Sequence, residues 1–216
     1  VELAEQSFRD SLALKPHPIE WVFLSDLLNR YFDGREDEAV ECLWQALRVD
    51  PDYEEAHYNL AWHLRWAGDL EAAEEHLRRA IELDPEYGVA HIDLGSLLLG
   101  RSFGAGGDRD AEAEKHLRLG VLYAEHSLWG YLYLGLLYEA QGKHRQATRR
   151  YRQAVEVAPD EAVVFWVYGS FLGSIGAANS EEHLLRALEL APDEPAAQYW
   201  YCRFGRSLEV RRQAYR

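Results

Sequence analysis

Nine histidines, two cysteines and 37 acidic residues in a chain of 216 raise three chemistries: metal ligation, thiol chemistry and carboxylate acid–base catalysis. Their spacing weighs against each. His76, His116 and His183 precede Leu77, Leu117 and Leu184 in matching contexts, and His57 and His91 form a second matching pair. Matching positions in successive helix pairs lie about two packing distances of ~8–10 Å apart, beyond the ~4 Å at which two imidazoles share one zinc. No His-Glu-x-x-His and no Cys-x-x-Cys occurs. Cys42 and Cys202 are too few for a disulfide framework, and a reduced, cytoplasmic setting fits them. The glycine-rich residues 100–107 lack the Gly-Lys-Ser/Thr of a phosphate loop, and no nucleophile elbow or dinucleotide fingerprint is present. The carboxylates fall mostly on solvated helix faces. No catalytic residue, metal or cofactor is expected.

Recognition chemistry remains, because the chain carries seven Trp and thirteen Tyr beside its arginines, and these side chains anchor protein interfaces. The net charge of −14 argues against nucleic acid or an anionic membrane as partner. The acidity is confined to one half: residues 1–100 hold 22 acids and 8 bases, whereas 101–216 hold 15 of each.

The elements that must position these aromatics follow from a repeat. The phrase Ala-(Leu/Ile/Val)-x-(Leu/Val)-x-Pro occurs at 46–51, 80–85, 154–159 and 187–192, and with Ser first at 11–16. The proline intervals are 35, 34, 74 and 33, and 74 is one unit of 34 plus one of 40 whose proline is replaced by Glu125. An apolar residue followed by a small one keeps the same phase: Leu24-Ser25, Leu60-Ala61, Leu94-Gly95, Leu134-Gly135, Tyr168-Gly169 and Tyr201-Cys202. Leu60, Ala61 and Leu64 share one helix face, as do Ala73, Leu77, Ala80 and Ile81, so each unit reads as an antiparallel helix pair. Gly68 and Gly142 end first helices; Pro85 and Pro159 stop second ones. Glu74 to Arg78 and Glu75 to Arg79 are i, i+4 pairs that mark a solvated face.

This pattern resembles the tetratricopeptide repeat, through Leu60, Ala61, Leu64, Gly68, Ala73, Leu77, Ala80 and Pro85 in one unit. The next clear copy has Leu134, Gly135, Tyr138, Gly142, Ala147, Tyr151, Ala154 and Pro159. The resemblance implies an all-α fold, a right-handed α-solenoid of helix-turn-helix units in one array over residues 1–216. Residues 1–17 are expected to be the second helix of a truncated repeat. Full repeats are expected at 18–53, 54–87, 88–127, 128–161 and 162–194, with a terminal helix and the start of a truncated repeat at 195–216. The third repeat gains about six residues near 100–107, a turn where additions are tolerated. The 19 uncharged residues 162–180 have the length of a membrane span, but Tyr168-Gly169 and Gly176 fall where a helix and then a turn are due.

At about 100° per residue, the core positions of each first helix cluster near about 50°, and a second stripe near about 190° faces away from the core. In tetratricopeptide arrays the matching stripe lines a concave groove that grips peptides. The resemblance therefore implies a groove of Tyr58, Trp62, Arg65 and Trp66, then Ile92, then Trp129, Leu132 and Leu136, then Trp166, then Tyr199 and Arg203, with Arg206 following. A row of exposed aromatics marks a binding surface unless adjacent first helices cover part of it. The Lys and Asn of the family's carboxylate clamp are missing at Tyr58, Trp62, Ile92, Ser96 and Leu132. An apolar or amphipathic helix with acidic flanks meeting Arg65, Arg203 and Arg206 suits these residues better. Arg145, Arg149, Arg150 and Arg152 make a separate basic face. The function expected is a non-catalytic protein–protein interaction scaffold. The alternatives are a homo-oligomerisation module and a regulatory or substrate-selecting arm of a larger enzyme, as in some tetratricopeptide-bearing glycosyltransferases.

Overall fold

Each second helix stops two residues before the proline of its phrase. The helices end at Leu14, Val49, Leu83, Val157 and Leu190, ahead of Pro16, Pro51, Pro85, Pro159 and Pro192. The residue before a proline is pushed out of the α region, and Asp50 and Asp84 are accordingly extended, with φ of −139° and −127°. The turns inside the pairs use glycine where L side chains are strained: Gly34, Gly68, Gly142 and Gly176 have φ of +79°, +86°, +68° and +72°. After Gly68, the Asp69 carboxylate accepts from the Ala72 N–H at 3.1 Å and starts the next helix.

A computed structural model describes residues 1–102, 108–124 and 126–205. These form α1 (Glu2–Leu14), α2 (Pro18–Tyr31), α3 (Glu36–Val49), α4 (Glu54–Ala67), α5 (Leu70–Leu83) and α6 (Gly88–Ser102). They continue as α7 (Asp108–Tyr123), α8 (Leu128–Ala140), α9 (His144–Val157), α10 (Ala162–Ser174), α11 (Ser180–Leu190) and α12 (Pro195–Trp200). A π-helical turn, Tyr201–Gly205, follows α12. Among the described residues there is no strand, and no helix is long and apolar enough to cross a membrane. The fold is all-α, built from helix-turn-helix pairs. Residues 103–107, Glu125 and 206–216 lie outside the described residues, and with them most of the inserted turn, Arg206 and the expected last repeat start.

The chain divides into two compact units, residues 1–97 and 98–216. In the first, Leu12, Leu24, Leu28, Ala39 and Cys42 form one core cluster, and Val22, Leu43, Ala46, Ala56 and Leu60 a second. Trp21 packs against both. α1 is tied to the start of α3 by ion pairs, with Arg35 bonded to Glu5 at 2.7 Å and to Glu38 at 2.6 Å, and Arg9 to both acids. Arg79 does not meet Glu75 as its spacing predicts; it bonds Glu82 at 3.0 Å and Asp52 at 2.5 Å. In the second unit Tyr151 is fully buried, 5.2 Å from Phe171 and 5.8 Å from Tyr168 between ring centroids. Its hydroxyl donates to Glu139 at 2.7 Å. Gly135 is what admits this ring: a Cβ there would lie 2.4 Å from Cε1 of Tyr151. Gly173 does the same for Phe204 of the π-helical turn.

Candidate functional site

The aromatic stripe of α4 is held in place by its neighbours in the first unit. Tyr58 is half-buried, its ring 5.2 Å from that of Tyr87, and its hydroxyl donates to Asp93 at 3.0 Å. Arg65 donates to the Ser96 hydroxyl at 2.9 Å. These two bonds fasten α4 to α6. Burial raises the pKa of Asp93 while the Tyr58 hydrogen bond and the Arg65 charge lower it, the first effect being the largest.

Trp62 and Trp66, one turn apart on the same stripe, are 46% and 76% exposed, and their rings sit 5.8 Å apart at 58°. Two adjacent tryptophans left this open are not spent on the core of this unit. Ile92 differs: it is 3% exposed and belongs to the interior.

Between α2 and α4 lies a recess of about 380 Å³, lined by Asp26, Asn29, Arg30, Tyr58, Asn59, Trp62 and His63. Asn29 donates through Nδ2 to Nε2 of His63 at 2.8 Å, which requires that imidazole to be neutral at Nε2. Burial holds His63 below the usual histidine range, in agreement. The α2 residues of this recess occupy the same stripe offsets from Leu24 that Trp62 and its neighbours occupy from Leu60. Applied to the first full repeat, the stripe reckoning names Asp26, Asn29 and Arg30; the groove expected from sequence begins only at α4 and leaves them out.

In the second unit Trp129 is 48% exposed and stacks on Tyr133 at 6.0 Å. Leu132 is 2% exposed, and Leu136 and Trp166 are half-buried, so the stripe of α8 and α10 is largely covered. α8 and α10 are themselves in contact. Tyr199 is 55% exposed. Arg203 is exposed but not idle: its guanidinium lies 5.6 Å from the Phe204 ring and 6.0 Å from that of Trp200, which stack on each other at 5.5 Å. Trp200 and Phe204 lie outside the predicted stripe, and the π-helical turn that brings them together has no periodic signature. On the basic face Arg145 and Arg149 are exposed, Arg150 bonds Gln153, and Arg152 donates to the Tyr168 hydroxyl at 3.3 Å.

Repeat phase relates histidines at equivalent positions, whereas the structure pairs non-equivalent ones. His57 and His76 face each other Nδ1 to Nδ1 at 2.9 Å, and Nε2 of His57 is 3.0 Å from the Pro51 carbonyl. The carbonyl can only accept, so His57 carries a proton on Nε2. The edge of His76 meets Trp44 at 5.7 Å. Among the described residues no group of three or more His, Cys, Asp or Glu side chains could hold a metal ion.

Comparison with known proteins agrees with this architecture. Tetratricopeptide repeat profiles match residues 54–87 and 130–161, and a TPR repeat profile matches residues 29–61. The protein O-mannosyl-transferase Tmtc1 of Drosophila melanogaster is 32% identical over 91 residues, which is 41% of this chain and 9% of that protein's length. Among solved structures, YrrB, described as a TPR protein with an unusual peptide-binding site, superposes with a TM-score of 0.65. It is 18% identical, and the match covers 90% of this chain and 97% of that one. TTC0263, a thermophilic TPR protein of Thermus thermophilus, gives 0.69 at 21% identity, covering 86% and 97%. At these identities the likeness is one of fold.

Proposed function

The chain belongs to the tetratricopeptide repeat family, and on that premise we propose that it is a non-catalytic protein-interaction scaffold offering aromatic first-helix surfaces to a peptide or amphipathic helix. The observation that carries this reading is the pair Trp62 and Trp66, exposed side by side where the fold does not need them. Trp129 and Tyr199 offer a second aromatic surface in the other unit. The family's fold is a protein–protein interaction scaffold, and YrrB, a neighbour in fold, is described as binding peptide. Acidic flanks on the peptide suit Arg203, whose guanidinium is already braced by two rings. Nucleic acid and membrane are not partners in this reading, and the cytoplasm is its setting.

The test immobilises the protein, captures proteins from lysate of the parent cells, and compares a Trp62→Ala/Trp66→Ala variant that keeps its helical circular dichroism. A partner segment, mapped and resynthesised, should bind the natural sequence and lose at least about tenfold in affinity on the variant, since two truncated aromatic anchors typically cost that much or more. Equal binding to both forms would remove the α4 surface from recognition.

A further inference from the structure

We propose that the recess between α2 and α4 is a receptor for an arginine side chain of the bound peptide, its guanidinium paired with the Asp26 carboxylate and laid against the Trp62 indole. The inference rests on the peptide-binding reading above and names the chemistry of one anchor.

Three observations on the same few residues support it. The first is the balance of donors and acceptors. Asp26 has no ion pair among the described residues; Arg30, one turn further along α2, acts on it through its charge without forming one. Asn29 gives one of its two amide N–H groups to His63 and keeps its carbonyl oxygen as an acceptor. An arginine brings five N–H donors and no acceptor, and so fits the Asp26 carboxylate and the Asn29 carbonyl oxygen on the recess wall.

The second observation is aromatic. Trp62 keeps almost half of its surface open at the edge of the recess, and an indole face is the best aromatic partner for a guanidinium. Arg203 beside Trp200 and Phe204 shows the same pairing within this chain. The third is charge. Residues 1–100 carry 22 acids against 8 bases, so the field around the recess attracts a cation and repels a carboxylate. Locally, burial and the Glu55 charge raise the Asp26 pKa and the Arg30 charge lowers it only in part, so a penalty is left that a bound guanidinium relieves. Arg30 works against the ligand from the rim, which makes its removal informative.

The experiment follows the tryptophan indole N–H resonances of the ¹⁵N-labelled protein, with Trp62 assigned from a Trp62→Phe spectrum. The probes are N-acetyl-arginine amide, N-acetyl-citrulline amide, which has the same shape without the charge, and N-acetyl-glutamate amide. Arginine amide should shift the Trp62 resonance saturably in the millimolar range, the weak affinity expected of a single side chain. Citrulline amide and glutamate amide should bind at least about fivefold more weakly, and Asp26→Asn should bring arginine down to the citrulline level. Arg30→Gln should strengthen arginine binding. Equal binding of citrulline, preference for glutamate, indifference to Asp26→Asn or no shift at all would each overturn the proposal. A peptide that needs Trp62 and Trp66 but ignores Asp26→Asn would overturn it while leaving the peptide-binding reading intact. Arginine binding with no peptide dependent on the two tryptophans would do the reverse.

Discussion

Replacing Gly135 by alanine places a methyl group inside the ring of Tyr151. The new Cβ would lie 2.4, 2.6 and 2.9 Å from Cε1, Cδ1 and Cζ, whereas carbon atoms pack at about 3.5–4.0 Å, so the ring must retreat by roughly 1 Å. It has nowhere to go: Tyr151 is fully buried, with Phe171 and Tyr168 against it. Moving it also stretches the 2.7 Å bond to Glu139, a carboxylate whose pKa burial already raises. Overpacking costs about 1–3 kcal/mol, and a weakened buried hydrogen bond adds about 1 kcal/mol. Alanine returns about 1 kcal/mol through its higher helix propensity. The net expectation is a loss of about 1–3 kcal/mol. Gly100 supplies the control, being a helical glycine with nothing among the described residues within 4 Å of the position of an added Cβ. There the propensity term stands alone, and Gly100→Ala should gain about 0.5–1 kcal/mol. Urea unfolding followed by circular dichroism and by tryptophan fluorescence reads both, the two probes together testing whether an array of repeats unfolds in one step. Adding Tyr151→Leu should recover part of the Gly135→Ala loss. A Gly135→Ala protein as stable as the natural one, or two alanine variants shifted alike, would refute the packing argument.

Stability should fall as pH is lowered from about 7.5 to 5.5. Burial lowers the pKa of His76, with His57 adding to it, and lowers that of His63. The unfolded chain therefore takes up protons first, from about pH 6.5 downward, and the loss stops once the folded histidines protonate. Urea midpoints across that range check this, and His63→Gln with His76→Gln should flatten the slope. Tyr58→Phe removes the donor to Asp93 and should cost about 1–3 kcal/mol at neutral pH. Because the folded Asp93 pKa is raised, that cost should shrink as pH falls and the carboxylate protonates, a dependence visible in the same unfolding curves. Burial pushes the Cys42 thiol up to about 11, and Cys202 is exposed, so iodoacetamide at pH 8 should label Cys202 quickly and Cys42 only after denaturation, as peptide mapping would show.

The pieces of the fold that depend on one stretch of chain were legible before any coordinates. Gly68 and Gly142 mark turns because a left-handed backbone favours glycine, and Pro51 and Pro85 end helices because proline expels its predecessor from the α region. The apolar spacing of Leu60, Ala61 and Leu64 likewise assigned a face to each helix. Angular position on a helix is a local property, and sequence determines it. What covers that position is not local. Ile92 and Leu132, two residues before Leu94 and Leu134, share a stripe with Trp62, two residues after Leu60, yet they are buried and it is open. His57 meets His76 across 19 residues, Asn29 meets His63 across 34, and Arg79 passes over Glu75 for Asp52. The recess beside Asp26 exists only where two first helices lie side by side. Sequence determined the repeat, the helix ends and the side of each helix on which recognition residues stand. Tertiary packing alone decided which of them remain in water, because the distance between neighbouring helices is set by side chains many residues away.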